Sequence, residues 1–201
     1  MSGPERTRAR HNGPARHNGP ARHNGNVSAP ATVDELLALL ARGVGIYDEP
    51  DIDGLFHALQ CGANLRTSHP ADPELAIAGL VHDIADIAFP HEHDDHAQRG
   101  ADLIEPLLGG RVARLVGAHV VAKRYLVATD PGYRARLSAR SSETLRLQGD
   151  ALDPAEIATL ASDPDLGAIL ALRRADECAK DRGAHPPALA TWRPLLVEVA
   201  G

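Results

Sequence analysis

Residues 72–84 read Asp-Pro-Glu-Leu-Ala-Ile-Ala-Gly-Leu-Val-His-Asp-Ile. Asp72 at the N-cap, Pro73 in the first helical position and Glu74 in the first turn start a helix. Its run Leu75, Ile77, Ala78, Leu80, Val81 and Ile84 is apolar on nearly every face, and a helix without a polar face lies inside a bundle. That buried segment ends in His82 and Asp83. Buried polar groups need strong partners, so the pair asks for other ligand-type side chains to meet it.

Helical spacing extends in both directions. Thr32 followed by Glu35 predicts a capped amphipathic helix over Val33, Leu36, Leu37, Leu39 and Leu40, stopped by Gly43. Ile52 to about Arg66 places Leu55, Leu59 and Ala63 on one stripe, with His57 beside them. After a loop at 88–95 (AFPHEHDD), a helix from His96 runs to a break at Gly109-Gly110, and another runs from Arg111 to about Lys123 with His119 on its apolar face. Ser141 and Ser142 mark a helix start, Asp153-Pro154-x-Glu156 marks another, and Leu166 to about Lys180 forms the last core helix. No strand alternation is found, so the fold class is all-α, a single-core helical bundle over residues 32–201.

Composition agrees with one core: 201 residues, 43% of them hydrophobic. The formal charge of −6 argues against nucleic acid or a polybasic membrane surface, which are built on clustered Lys and Arg. No apolar run spans a bilayer and no apolar signal core opens the chain, so a cytoplasmic protein is expected. Two cysteines, Cys61 and Cys178, make no disulfide framework. Residues 1–31 hold five Arg against one Glu, and from Arg10 to Gly25 they repeat R-H-N-G-P-A with a six-residue period. Such a segment has almost nothing to bury and is expected to be a disordered tail. Three of the 11 His belong to it; the folded part keeps His57, His69, His82, His91, His93, His96, His119 and His185.

His57, His82-Asp83, His96, His119 and Asp176 fall on or beside apolar faces of five predicted helices. Four His and two Asp exceed one tetrahedral zinc but suit two six-coordinate ions, with a carboxylate bridging them and positions left for water and substrate. Lys123, one of only two lysines, stands one helical turn after His119. It serves either as an anion-binding ammonium beside the metals or as a solvated helix C-terminus; the anion role is favoured.

The order His, His-Asp, His, His, Asp resembles the HD-domain superfamily, all-α metal-dependent proteins that are mostly phosphohydrolases, with a smaller branch of mixed-valent Fe(II)/Fe(III) oxygenases. The stretch His119-Val-Val-Ala-Lys123-Arg124-Tyr125-Leu126-Val127, followed by Tyr133, Leu137-Ser138, Ser141, Leu145 and Gln148-Gly149, resembles the 2-amino-1-hydroxyethylphosphonate dioxygenase type of enzyme. His57-Ala-Leu-Gln60 and Tyr47, ten residues before His57, are also similar to that group. The resemblance spans roughly residues 44–182. It implies an HD-domain bundle around two iron ions: His57, His82, Asp83 and Asp176 on one, Asp83, His96 and His119 on the other, Asp83 bridging. It further implies Tyr47 as a reversible ligand or gate, Lys123 acting in catalysis and on the phosphonate, and Ser138, Ser141, Gln148 and Arg173 as further grips on that anion.

The resemblance thus implies O2-dependent cleavage of the C–P bond of a 1-hydroxyphosphonate, giving phosphate and a carboxylic acid. Two departures touch the organic end of the substrate and the shell around the metals: Pro50 stands where those enzymes carry a Glu, with Glu49 one place early, and Asp86 replaces a His. The loop His91-Glu92-His93-Asp94-Asp95 either supplies replacements or is simply solvated, the latter being favoured. The competing function is a metal-dependent phosphohydrolase acting on a small phosphate ester or nucleotide, with Asp86 orienting the attacking water. A binding protein with a vestigial site is disfavoured because no matched ligand is missing. The oligomeric state is left open.

Overall fold

Our computed structural model of the chain describes residues 27–90 and 95–201. The R-H-N-G-P-A repeat and residues 91–94 of the His/Asp loop lie outside the described residues. The elements run α1 Val33–Ala41, β1 Tyr47–Glu49, β2 Ile52–Asp53, α2 Gly54–Ser68, α3 Pro73–Val81, α4 Ile84–Ala88, α5 His96–Thr129, α6 Tyr133–Arg136, α7 Ala139–Leu147, α8 Pro154–Ala161, α9 Leu166–Cys178, a 3₁₀ turn Leu189–Trp192 and α10 Arg193–Ala200. The all-α class holds. The one pairing among the described residues is the five-residue hairpin β1–β2, too short to show alternation, which turns through Asp51 at φ 62°.

Helix α3 is the centre of the bundle, as its sequence demands. Leu75 through Val81 are all buried, the side chains at most 1% exposed apart from Gly79, which has none, and α2, α5 and α9 pack around them. Each fully buried Leu or Ile there contributes about 1.5–3 kcal/mol. Gly79 makes the closest packing possible: a Cβ at this position would lie 2.5 Å from Leu65 Cδ1 and 3.3 Å from the Cys61 backbone on α2. At the C-terminal end the chain turns at Asp83 (φ −105°, ψ 22°) instead of running on to Ile84, which begins α4. The turn points Asp83 at the cavity and leaves the fully buried His82 facing His57, Asp83 and Asp176.

Caps set the remaining boundaries. Thr32 accepts from Glu35 N, and Glu35 returns its carboxylate to Ala31 N. Asp53 accepts from Phe56 N at 2.8 Å, so α2 starts two residues later than the periodicity at Ile52 suggests. Ser138 caps α7 by accepting from Ser141 N at 3.0 Å, three residues before the expected start at Ser141. The predicted Asp153 box is present, with Glu156 answering Asp153 N at 2.9 Å. Gly109 (φ 80°, ψ 166°) is non-helical and divides α5 into two helices joined across a kink, as expected. Just past the kink, Arg111 holds Asp72 with two bonds of 2.8 and 2.7 Å, Glu74 at 2.9 Å and Asp165 at 3.4 Å. One guanidinium thus ties the starts of α3 and α9, two helices that carry site residues at their far ends.

No helix among the described residues is long and apolar enough to cross a membrane. Cys61 and Cys178 are free thiols, the first buried and the second exposed.

Candidate metal centre

Four elements bring the six predicted ligands together, and all but the fully buried His82 line one cavity of about 690 Å³. His57 comes from the first turn of α2, His82 and Asp83 from the turn after α3, His96 and His119 from α5, and Asp176 from the last turn of α9. The donor atoms fall into two groups joined through Asp83. Asp83 Oδ2 lies 3.1 Å from His82 Nε2 and 3.6 Å from His57 Nε2, and Asp176 Oδ1 lies 3.3 Å from His57 Nε2. On the other side Asp83 Oδ1 lies 3.6 Å from His119 Nε2, which is 3.1 Å from His96 Nε2. One carboxylate therefore offers a different oxygen to each group.

These spacings fit metal ions. With metal–ligand bonds of about 2.1 Å, neighbouring donors of a six-coordinate ion sit about 3.0 Å apart and opposite ones about 4.2 Å. Donor atoms in each trio, His57-His82-Asp83 and Asp83-His96-His119, lie within 4.8 Å of one another. The orientation is fixed from behind: His57 Nδ1 bonds Ala179 O at 2.9 Å, His82 Nδ1 bonds Gly79 O at 2.9 Å and His119 Nδ1 bonds Val116 O at 2.7 Å. A carbonyl acceptor puts the proton on Nδ1 and leaves the Nε2 lone pair toward the cavity, which is the tautomer a metal needs.

The electrostatics agree. Depth in the cavity works against an ionised Asp83, but His82 and His119 hold it well below the usual carboxylate range. Burial likewise opposes ionised Asp176, and Arg173 overrides it. Burial pushes His119 down to about 3, so it is a neutral donor, whereas Asp83 and Asp176 hold His82 well above its ordinary value despite burial. Two ionised carboxylates among imidazoles form a donor set suited to cations.

The anion residues expected from sequence separate into three groups. Lys123, Ser141 and Gln148 line the cavity beside the metal ligands. Lys123 is 3% exposed and donates to Thr144 Oγ1 at 2.8 Å; burial, reinforced by Arg173, pushes its ammonium down to about 8. Arg173 also lines the cavity, but its guanidinium is taken on three sides: Nε donates to Tyr133 Oη at 2.8 Å, and its terminal nitrogens bond Asp176 and Glu177. Ser138 stands behind the lining as the α7 cap and does not border the cavity. Tyr47 is 63% exposed and also outside the lining, although its neighbours Ile46, Ile52, Asp53 and Gly54 form part of the wall.

Sequence reasoning missed Lys180 and Thr144, both in the lining. Lys180 carried a signal, being the second of two lysines and four residues beyond Asp176. Asp86 does line the cavity, as its place three residues after Asp83 suggests. His69 and His185 lie on the surface, away from the centre.

A helical bundle whose His, His-Asp, His, His and Asp side chains converge as two metal-type clusters sharing one carboxylate defines a class of metal-binding protein. The HD domain family matches residues 31–161, and the chain belongs to it. It is 33% identical over 148 residues to a [1-hydroxy-2-(trimethylamino)ethyl]phosphonate dioxygenase (glycine-betaine-forming) of Leisingera caerulea, covering 70% of this chain and 75% of that one. It is 36% identical over 158 residues to a hydroxymethylphosphonate dioxygenase of Gimesia maris, covering 74% and 77%.

Proposed function

We propose that this protein is a di-iron oxygenase that cleaves the C–P bond of a 1-hydroxyphosphonate. The observation that carries the reading is the Asp83 carboxylate, turned to serve two clusters at once, with Lys123 in the same cavity. The similarity to two dioxygenases of hydroxylated phosphonates supports it. The overall reaction balances as one O2 consumed per substrate: the C1–H and C–P bonds break, C1 becomes a carboxylic acid and phosphorus leaves as phosphate.

His57, His82, Asp83 and Asp176 would hold one iron, and Asp83, His96 and His119 the other. Bound there, a mixed-valent pair would supply Lewis acidity toward the substrate oxygens and the redox capacity that O2 chemistry requires. The protein's own part is positional. Lys123 and Ser141 hold the anionic end, the carbonyl-bound imidazoles keep the ligands aimed, and Ile46, Ile52 and Ile87 present an apolar wall to the organic end. Tyr47, exposed on the β1–β2 hairpin beside the cavity wall, would serve as a reversible ligand or gate.

Assay of phosphate release from a hydroxyphosphonate with and without O2 tests the reading. Release should require oxygen and iron, and the protein should show the EPR signal of a coupled Fe(II)/Fe(III) pair. Full-rate phosphate release from a small phosphate ester or nucleotide under anaerobic conditions with Mg or Mn, with none from the hydroxyphosphonate, would instead support the second reading, a metal-dependent phosphohydrolase, which the carboxylate of Asp86 in the cavity wall favours.

A further inference from the structure

We propose that Lys180 is the second cation of the anion pocket, so that a phosphonate or phosphate group is held between the Lys123 and Lys180 ammoniums beside α7. The inference rests on the proposed phosphonate chemistry only for the identity of the anion.

The chain contains only two lysines, and both end in the same cavity. Each reaches hydroxyls of the same short helix: Lys123 donates to Thr144 Oγ1 at 2.8 Å, and Lys180 donates to Ser138 Oγ and Ser141 Oγ, each at 3.1 Å. These hydroxyls lie on the first two turns of α7, at spacings of three residues, and so share one face. Gln148, at the far end of that helix, also lines the cavity, where its amide NH2 can donate to an anion.

Lys180 is also held in place through its backbone. The residue before it, Ala179, gives its carbonyl to His57 Nδ1 at 2.9 Å, and the residue after it, Asp181, donates its N–H to Gln60 Oε1 at 3.1 Å. Both partners belong to α2, so the peptide carrying Lys180 is pinned on either side to the helix that supplies a metal ligand. A cation fixed this way loses less freedom when it binds an anion than one on a loose loop.

Arg173 cannot fill this place without abandoning Tyr133, Asp176 and Glu177. Its geometry makes it a positioning residue for the Asp176 ligand. Glu177 Oε1 lies 3.7 Å from Lys180 Nζ, but its other oxygen is taken by Arg173, so this acid is shared and does not withdraw Lys180 from the cavity. Two ammoniums in one cavity supply the charge-assisted donors that a phosphonate requires. Ser138, outside the lining, then acts by holding Lys180, which accounts for a phosphonate-type serine that does not itself border the cavity.

The test is calorimetric titration of inorganic phosphate into the metal-loaded, full-length protein. Lys180→Met should weaken phosphate binding by roughly tenfold or more with metal content unchanged, and Lys180→Arg should stay within a few fold of the wild type. Equal weakening by both substitutions, or wild-type affinity in Lys180→Met, overturns the proposal. The wild-type protein gives an independent reading, because Lys123 and Lys180 are the only side-chain amines and form stable amides with acetic anhydride that mass spectrometry assigns to each residue. Saturating phosphate should slow acetylation of both lysines, measured by mass spectrometry, and an unchanged rate at Lys180 overturns the assignment even if the substituted proteins fail to fold. Neither measurement needs oxygen. Loss of O2-dependent turnover with phosphate protection intact therefore counts against the oxygenase reading alone.

Discussion

The two walls of the cavity are built on opposite principles. In the metal wall three of the four imidazoles, His57, His82 and His119, bond backbone carbonyls of α3, α5 and the turn after α9 through Nδ1. The wall formed by α7 is made of side chains holding side chains, Lys123 on Thr144 and Lys180 on Ser138 and Ser141. The first arrangement is set by the backbone and cannot relax without unwinding a helix. The second can rearrange around a ligand at the cost of a few rotamers. Rigid ligand placement suits ions that need fixed geometry, and adjustable hydroxyls and ammoniums suit an anion that must enter and leave.

Breaking the metal wall should have the largest effect. Asp83→Ala removes the oxygen that faces each cluster, so both metals should be lost from purified protein by elemental analysis. Removal of partners behind a ligand already costs 10- to 100-fold, so activity should fall by more than about 100-fold. Two tightly held metals in that variant would disprove the bridge. His96→Ala sharpens the same comparison: it touches only the cluster with His119, so metal content should drop from two to one per chain. Loss of both would mean that the clusters are not separable.

The two walls also differed in how plainly they could be read from sequence. Ligands on periodic apolar helices stand out because a polar residue on or beside an apolar face breaks a pattern, and this singled out His57, His82, Asp83, His96, His119 and Asp176. The turn after Val81, by contrast, follows from where α4 and the cavity lie, and no local signal separates it from one continuous helix. Ser138, Thr144 and Lys180 break no pattern, since each is an ordinary polar residue at a helix start, on a half-exposed helix or after a helix end. Only contacts over 21 to 42 residues of sequence give them a role. Arg173 shows the converse. Its charge and position suggested an anion grip, yet Asp176, Glu177 and Tyr133 take all sides of its guanidinium.

Breaking the anion wall should leave the metals in place. Lys123→Ala should retain both ions and raise KM roughly 10- to 100-fold, the range for losing one charge-assisted contact, with a smaller change in kcat. A variant with unchanged KM and lowered kcat would place Lys123 in the chemical step and not in binding.

The smallest expected effect is in the pH profile, and it follows from the same lysine. Burial and the neighbouring Arg173 push the Lys123 ammonium down to about 8. Its charge is therefore complete well below that pH and is lost as pH rises through it, so kcat/KM for an anionic substrate, which reports the free enzyme, should decline above about pH 8. The decline is bounded, because a neutral Lys123 still leaves Lys180 and the metals to hold the anion. On this account kcat/KM of the wild type at high pH should level off no lower than that of Lys123→Ala, and the limb near 8 should vanish in Lys123→Arg, whose guanidinium stays charged. A limb that persists in Lys123→Arg would assign the titration to another group and leave the Lys123 charge constant across the range.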